Sequence, residues 1–374
     1  MNFIVSSSAL FGRLQGISRV VPSKTSLNIL ECFLFELKDG QLKLTASDNE
    51  TTMVTTLEVN ECDTDGRFAI AAKTLLDALK EIPEQPLRFE INLNNYEIKI
   101  FYQNGQYNLM GQNADEYPQP VSLGDSAVKL EMDANVLLSG VTRSLFAVAD
   151  DELRPVMNGV YFDITTENVT MVASDGHILV RCKTTESRGT ERAAFILPKK
   201  PALLIKNLLP KESGMVTIEF DQRNALFVME NYHMVCRLIE GRYPNYNSVI
   251  PQNNPHRVIA DRIQLLGALR RVSVFSSQSS NLIKLRLEQN LIVISAQDMD
   301  FSVSAEESQT CQYDGTQMNI GFQSDNLIDI LNNIQSDEVM IELADPSKAG
   351  IIVPVEQDEN EDLLMLLMPM MLNN

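Results

Sequence analysis

The stretch VTMVASDGHILVRC, residues 169–182, alternates apolar and polar side chains, breaks at Ser-Asp-Gly-His, and alternates again. That pattern reads as two antiparallel strands joined by a tight turn. It occurs twice more. LKLTASDNETTMVTTL starts at Leu42 and LIVISAQDMDFSVSAEE at Leu291. The aspartates Asp48, Asp175 and Asp298 share the turn, at spacings of 127 and 123 residues. One such hairpin is common; three at a near-constant period announce an internal repeat.

The surroundings repeat as well. A 3.6-residue apolar period precedes each hairpin, in residues 8–21, 133–149 and 260–275. In the first of these Leu10, Leu14, Ile17 and Val21 form the stripe, and in the other two Asp133 and Asp261 stand where an N-cap belongs. A strand, a second helical stretch and a strand pair follow each hairpin. The second helices lie within residues 68–83, 195–210 and 320–335. The expected unit is β-α-β-β-β, twice in each repeat of about 120 residues and six times in the chain. The fold class is α+β: three tandem domains of antiparallel sheet, each with two amphipathic helices on one face. Turn-rich segments near 118–124 and 251–255 give expected domains of 1–124, 125–252 and 253–374.

Composition bounds the function. A chain of 374 residues with 44% apolar and 22% charged residues can build several cores. No apolar run reaches the length of a membrane span, and the N-terminus lacks a secretory pattern. Cys32, Cys62, Cys182, Cys236 and Cys311 are odd in number and scattered, which fits free thiols in a reducing cytoplasm and no zinc site. With three histidines at no ligand spacing, no metal or cofactor is expected. Ser174 and His177 would be the pair for a hydrolase. They sit in a hairpin turn without a GxSxG elbow, and no phosphate-binding glycine loop is present, so no catalytic residue is expected.

The charge is segregated. The net charge is −19, yet the six helical stretches, taken as 9–21, 73–83, 134–149, 199–211, 260–275 and 324–335, hold twelve Lys and Arg against five acids. A basic helical surface on an acidic body fits a polyanion held by its backbone along one face. Helix propensity alone also places Lys and Arg in helices, and the sixth stretch has no base at all, so charge leaves both readings open.

Three motifs carry a resemblance. ASDGHILV (173–180), EGRYPNYNSVIP (240–251) and the terminal MPMML (368–372), together with ADEYP (114–118), closely resemble the bacterial sliding clamp family, the β subunit of DNA polymerase III. The resemblance spans the whole chain. It implies a head-to-tail homodimeric ring, with helices lining a central hole and sheets outside. Double-stranded DNA would pass through without sequence readout. The implied partners are the polymerase III alpha subunit, the clamp loader delta subunit and other proteins carrying a clamp-binding peptide. No membrane contact and no catalysis are implied, and the location is cytoplasmic.

Carried over residue by residue, the peptide cleft comprises Met157, Ser174, Gly176, His177, Ile178, Leu179, Pro244 and Val249. The tail adds Leu366, Met368, Pro369, Met370, Met371 and Leu372. Flexible methionines suit a pocket that accepts several peptides. The channel set is Arg13, Arg19, Lys24, Lys73, Lys80, Arg143, Lys199, Lys200, Lys206, Arg270 and Arg271, and Val274 with Phe275 belongs to the dimer interface. Three departures stand out. Ile178 and Met371 replace arginines of many relatives. Asn373 and Asn374 extend the usual end. The loop AVADDELRP is acidic, so DNA contact is not carried onto Asp150, Asp151 or Pro155.

Overall fold

A computed structural model describes residues 1–124 and 126–372. Asp125, Asn373 and Asn374 lie outside the described residues, and with them the two-residue extension and the first residue of the expected second domain. The element order is β-α-β-β-β repeated six times, with 24 strands and six α-helices among the described residues. The helices are α1 (Ser7–Ile17), α2 (Ala72–Lys80), α3 (Ala134–Leu145), α4 (Lys199–Leu208), α5 (Arg262–Ser273) and α6 (Ser324–Asn332). None is long and apolar enough to cross a membrane.

Local chemistry explains the helix limits. Ser6 caps α1 by accepting the Ala9 N–H at 3.1 Å, and Asp261 caps α5 through the Gln264 N–H at 2.8 Å. Asp133 accepts the Asn135 N–H at 2.8 Å ahead of α3. The expected stripe of α1 holds for Leu10, Leu14 and Ile17. It then shifts: Val20, not Val21, is fully buried. The chain tightens into a 3₁₀ turn at Ser18–Val20, where three residues complete a turn and Val20 falls above Ile17.

The strands pair in a way that local pattern does not specify. Within each pair of units the first strand of one joins the sheet of the other. Asn2–Ser6 pairs with Pro86–Asn92, and Gly66–Ala71 with Cys32–Lys38. The same exchange places Ala193–Pro198 beside Gly159–Ile164, Val128–Asp133 beside Met215–Phe220, Met318–Gln323 beside Leu282–Glu288, and His256–Asp261 beside Glu338–Leu343. Two further pairings fuse four-stranded sheets into eight-stranded ones: Thr51–Glu58 with Tyr232–Arg237, and Ile178–Thr184 with Glu361–Leu367. Every ladder is antiparallel.

Two compact bodies result: Met1–Asn135 with Leu204–Leu238, and Val136–Leu203 with the chain from Ile239 onward. The first is built on stacked rings, Phe3 on Phe89 at 4.8 Å and Phe35 on Phe68 at 5.0 Å. In the second, Phe162 stacks on Phe195 at 4.5 Å.

Candidate functional site

The repeated aspartates are turn-makers. Asp48 Oδ1 accepts the N–H groups of Glu50 and Thr51, Asp175 Oδ1 those of His177 and Ile178, and Asp298 Oδ1 those of Asp300 and Phe301. One short carboxylate satisfies two backbone donors that a tight turn leaves unpaired. The Ser174 hydroxyl is spent in the same way. It donates to the Ile178 carbonyl at 2.7 Å and accepts the Gly176 N–H at 3.2 Å. With its hydroxyl engaged on the backbone and His177 exposed, the pair has no nucleophile–base geometry. Gly176 sits at φ +96, a conformation L side chains rarely adopt, and a Cβ there would lie 3.2 Å from Arg154 Nη1.

Around this turn the motifs converge. Leu179 pairs with Leu366 and Ile178 with Leu367. Val172, Leu179, Ile196, Tyr243, Ile250 and Leu366 share one apolar cluster, with Val156 and Tyr246 packed on it. Tyr243 stacks on Tyr161 at 4.7 Å, which seats the segment 240–251 on the strand Gly159–Ile164. Burial, aided by the hydrogen bond to Asp163, pushes the Tyr246 hydroxyl up to about 12. Met157 is buried, whereas Pro244 and Val249 are exposed at the rim.

The tail continues past its strand by two backbone bonds. Met368 N–H donates to His177 O and Met370 N–H to Gly321 O, both at 2.8 Å. A Cβ on Gly321 would sit 2.7 Å from Met370 O, so this close approach requires glycine. Met368 and Met371 are exposed, and Pro369 and Met370 half-buried. Leu372 lines a different hollow, of about 660 Å³, beside Leu282, Ala296 and Met299.

Arg154 is the residue that sequence reasoning missed. Its Nε donates to Asp151 Oδ2 at 2.7 Å and its guanidinium reaches Asp175 O, so it braces the SDGH turn. The same bond holds the Asp151 carboxyl below its usual range. The only signal was an Asp and an Arg three residues apart in an acidic loop.

Arg19, Lys24, Lys73, Lys80, Lys199 and Lys200 are exposed, and Lys206 is half-buried. Arg13 donates to Asn231 Oδ1 at 2.6 Å and lies over the Tyr232 ring, and Arg270 donates to Asn332. Arg143 is paired with Glu361 in a half-buried bridge, and Arg271 with Glu307. Those two must exchange an internal carboxylate for any outside anion. Val274 and Phe275 follow α5, both exposed. Among the described residues no group of three His, Cys, Asp or Glu side chains stands together to hold a metal ion.

Family models match the chain end to end. They are the N-terminal domain of the DNA polymerase III beta subunit over residues 1–121, its central domain over 131–245 and its C-terminal domain over 247–371. The chain belongs to the DNA polymerase III beta subunit family. It is 26% identical over 373 residues to the beta sliding clamp of Pseudomonas aeruginosa and 26% identical over 374 residues to that of Haemophilus influenzae, with full coverage of both chains in each case. Among solved structures, it resembles the sliding clamp (DNA polymerase III subunit beta) from Pseudomonas aeruginosa bound to griselimycin, with TM-score 0.94, 26% identity and full coverage of both chains. This beta-subunit family is one of sliding clamps and not of catalytic subunits.

Proposed function

We propose that this chain is a replication clamp: two copies close head-to-tail around double-stranded DNA and tether the polymerase, conferring processivity through effective concentration rather than chemistry. The observation that carries this reading is the match of all three beta-subunit domains, in order, across the chain. Topology supports the closure. Each internal junction pairs the last strand of one four-stranded sheet with the last strand of another. Two last strands keep an open outer edge among the described residues, Gly105–Met110 and Val303–Thr310. An open edge is a template for another strand, and two unlike edges pair heterologously. Two copies then close a ring in which every last strand is paired.

In this reading the exposed lysines and Arg19 face phosphate without reading bases. The surface formed by Met157, the SDGH turn, Leu179, Val249 and Met368–Met371 takes a short apolar peptide from the polymerase alpha subunit, the clamp loader delta subunit and other partners. The protein works in the cytoplasm and needs no cofactor.

The test is topological. The protein, loaded by a clamp loader onto nicked circular plasmid, is expected to co-elute with the circle and to leave when the plasmid is cut. Retention on linear DNA equal to that on circles would refute encirclement.

A further inference from the structure

The two internal junctions share a feature beyond the strand ladder. Arg237 N–H donates to Glu50 O, and Met368 N–H donates to His177 O, each at 2.8 Å. Glu50 and His177 are equivalent: each stands two residues after its turn aspartate. In both cases the tip of a hairpin turn meets the residue that follows the last ladder pair of the neighbouring sheet, Cys236↔Thr51 or Leu367↔Ile178.

The third hairpin differs. Two residues separate Asp48 from Thr51 and Asp175 from Ile178, but four separate Asp298 from the equivalent Val303. The added length carries Met299 and Phe301, which are 79% and 75% exposed, and Val303 after them is also exposed. Three large apolar side chains within five residues, beside an open strand edge, make a patch that water does not favour. The equivalent rung at the third junction brings this turn against the end of Gly105–Met110 on a second copy. Met110 stands there, 65% exposed.

We propose that Met299 and Phe301 form an apolar clasp that seats on Met110 of a second copy of this chain at one end of each edge-strand ladder. The inference rests on the ring reading above. The occupant follows from continuity: the patch runs directly into the edge strand that the ring pairs. It follows also from matched character. The first internal junction joins its turn by an ion pair, Arg237 to Glu50 at 3.5 Å, whereas the large exposed side chains at the third, Met299, Phe301 and Met110, are apolar. The clasp therefore adds salt-insensitive closure to a chain whose net charge is −19 and whose copies repel each other.

Sedimentation equilibrium of the full chain tests this. Wild type is expected to be a dimer at micromolar concentration. Met299→Asp with Phe301→Asp, at exposed positions, is expected to keep the monomer's circular dichroism spectrum and to weaken the dimer by about a hundredfold, because two apolar anchors are removed at each of two interfaces. Adding Met110→Lys is expected to recover about tenfold through the new Asp–Lys pairing. An unchanged dimer constant in the double variant overturns the clasp while leaving the ring intact. A triple variant no tighter than the double overturns Met110 as its seat. A wild type that stays monomeric at all concentrations removes the ring reading itself.

Discussion

At Asp175 one carboxylate oxygen accepts two backbone N–H groups, each at 2.7 Å, and at Gly176 the backbone turns to φ +96. The order Asp-Gly is therefore set by turn geometry before any partner is considered. Gly176→Ala is expected to cost about 1–2 kcal/mol, the penalty for a left-handed L residue. Urea unfolding measures it, and a midpoint equal to wild type would mean that the turn does not hold that conformation in solution. The thiols make a second residue-scale case. Burial pushes Cys182 and Cys236 up to about 12 from the ordinary value near 9. Below pH 9 both folded and unfolded chains keep these protons, so the full stability is present. As pH rises from 9 towards 12 the unfolded chain loses them first, and folding stability falls. Replacing both cysteines with alanine is expected to flatten this alkaline decline, read as urea midpoints between pH 8 and 11. An equally steep decline in the double variant would assign it to other groups.

The tail shows what an element can do beyond its strand. Glu361–Leu367 is a core strand, with Leu363, Met365, Leu366 and Leu367 buried. Met370 then bridges to Gly321 just as Asn60 bridges to Ile4, Gln112 to Ala69 and Gln312 to Ile259. This bridge belongs to the repeat, and it fixes the course of the residues that follow. Deleting 368–372 is expected to abolish binding of an apolar clamp-binding peptide and to lower stability by about 1 kcal/mol for each backbone bond removed. Met371→Asp, at an exposed position, is expected to weaken the peptide with no change in stability. Fluorescence anisotropy with a labelled peptide separates the two effects. Equal affinity in wild type and both variants would remove the tail from the cleft.

Over the whole molecule the helices taken together are net basic and the remainder is acidic. Reversing Lys199, Lys200 and Lys206 to Glu is expected to lower the salt slope of DNA retention by roughly one for each phosphate no longer neutralised, whatever the DNA sequence. A slope equal to wild type would take these lysines off the DNA path. Arg143→Glu is expected to behave differently. It leaves Glu361 facing a like charge in a half-buried site, so the melting temperature falls before DNA is involved.

The six β-α-β-β-β units, the helix stripes apart from the end of α1, and the shared turns were legible in the order of residues. They follow from periods of 2 and 3.6 residues and from Asp side chains that bond within three residues, all of which are local. The motif ASDGHILV was legible for the same reason, and the bond from Met368 to His177 brings it against the terminal MPMML. Which strands pair is a property of the folded chain alone. The exchange of first strands between units brings residues as far apart as Asn2 and Glu90 into register, and no alternation of side chains specifies a partner at that distance. The same holds for Arg143 with Glu361 and for Arg154 against the turn at Gly176. A charged side chain shows its sign in the sequence, but the counter-charge it meets depends on how distant sheets and loops come together.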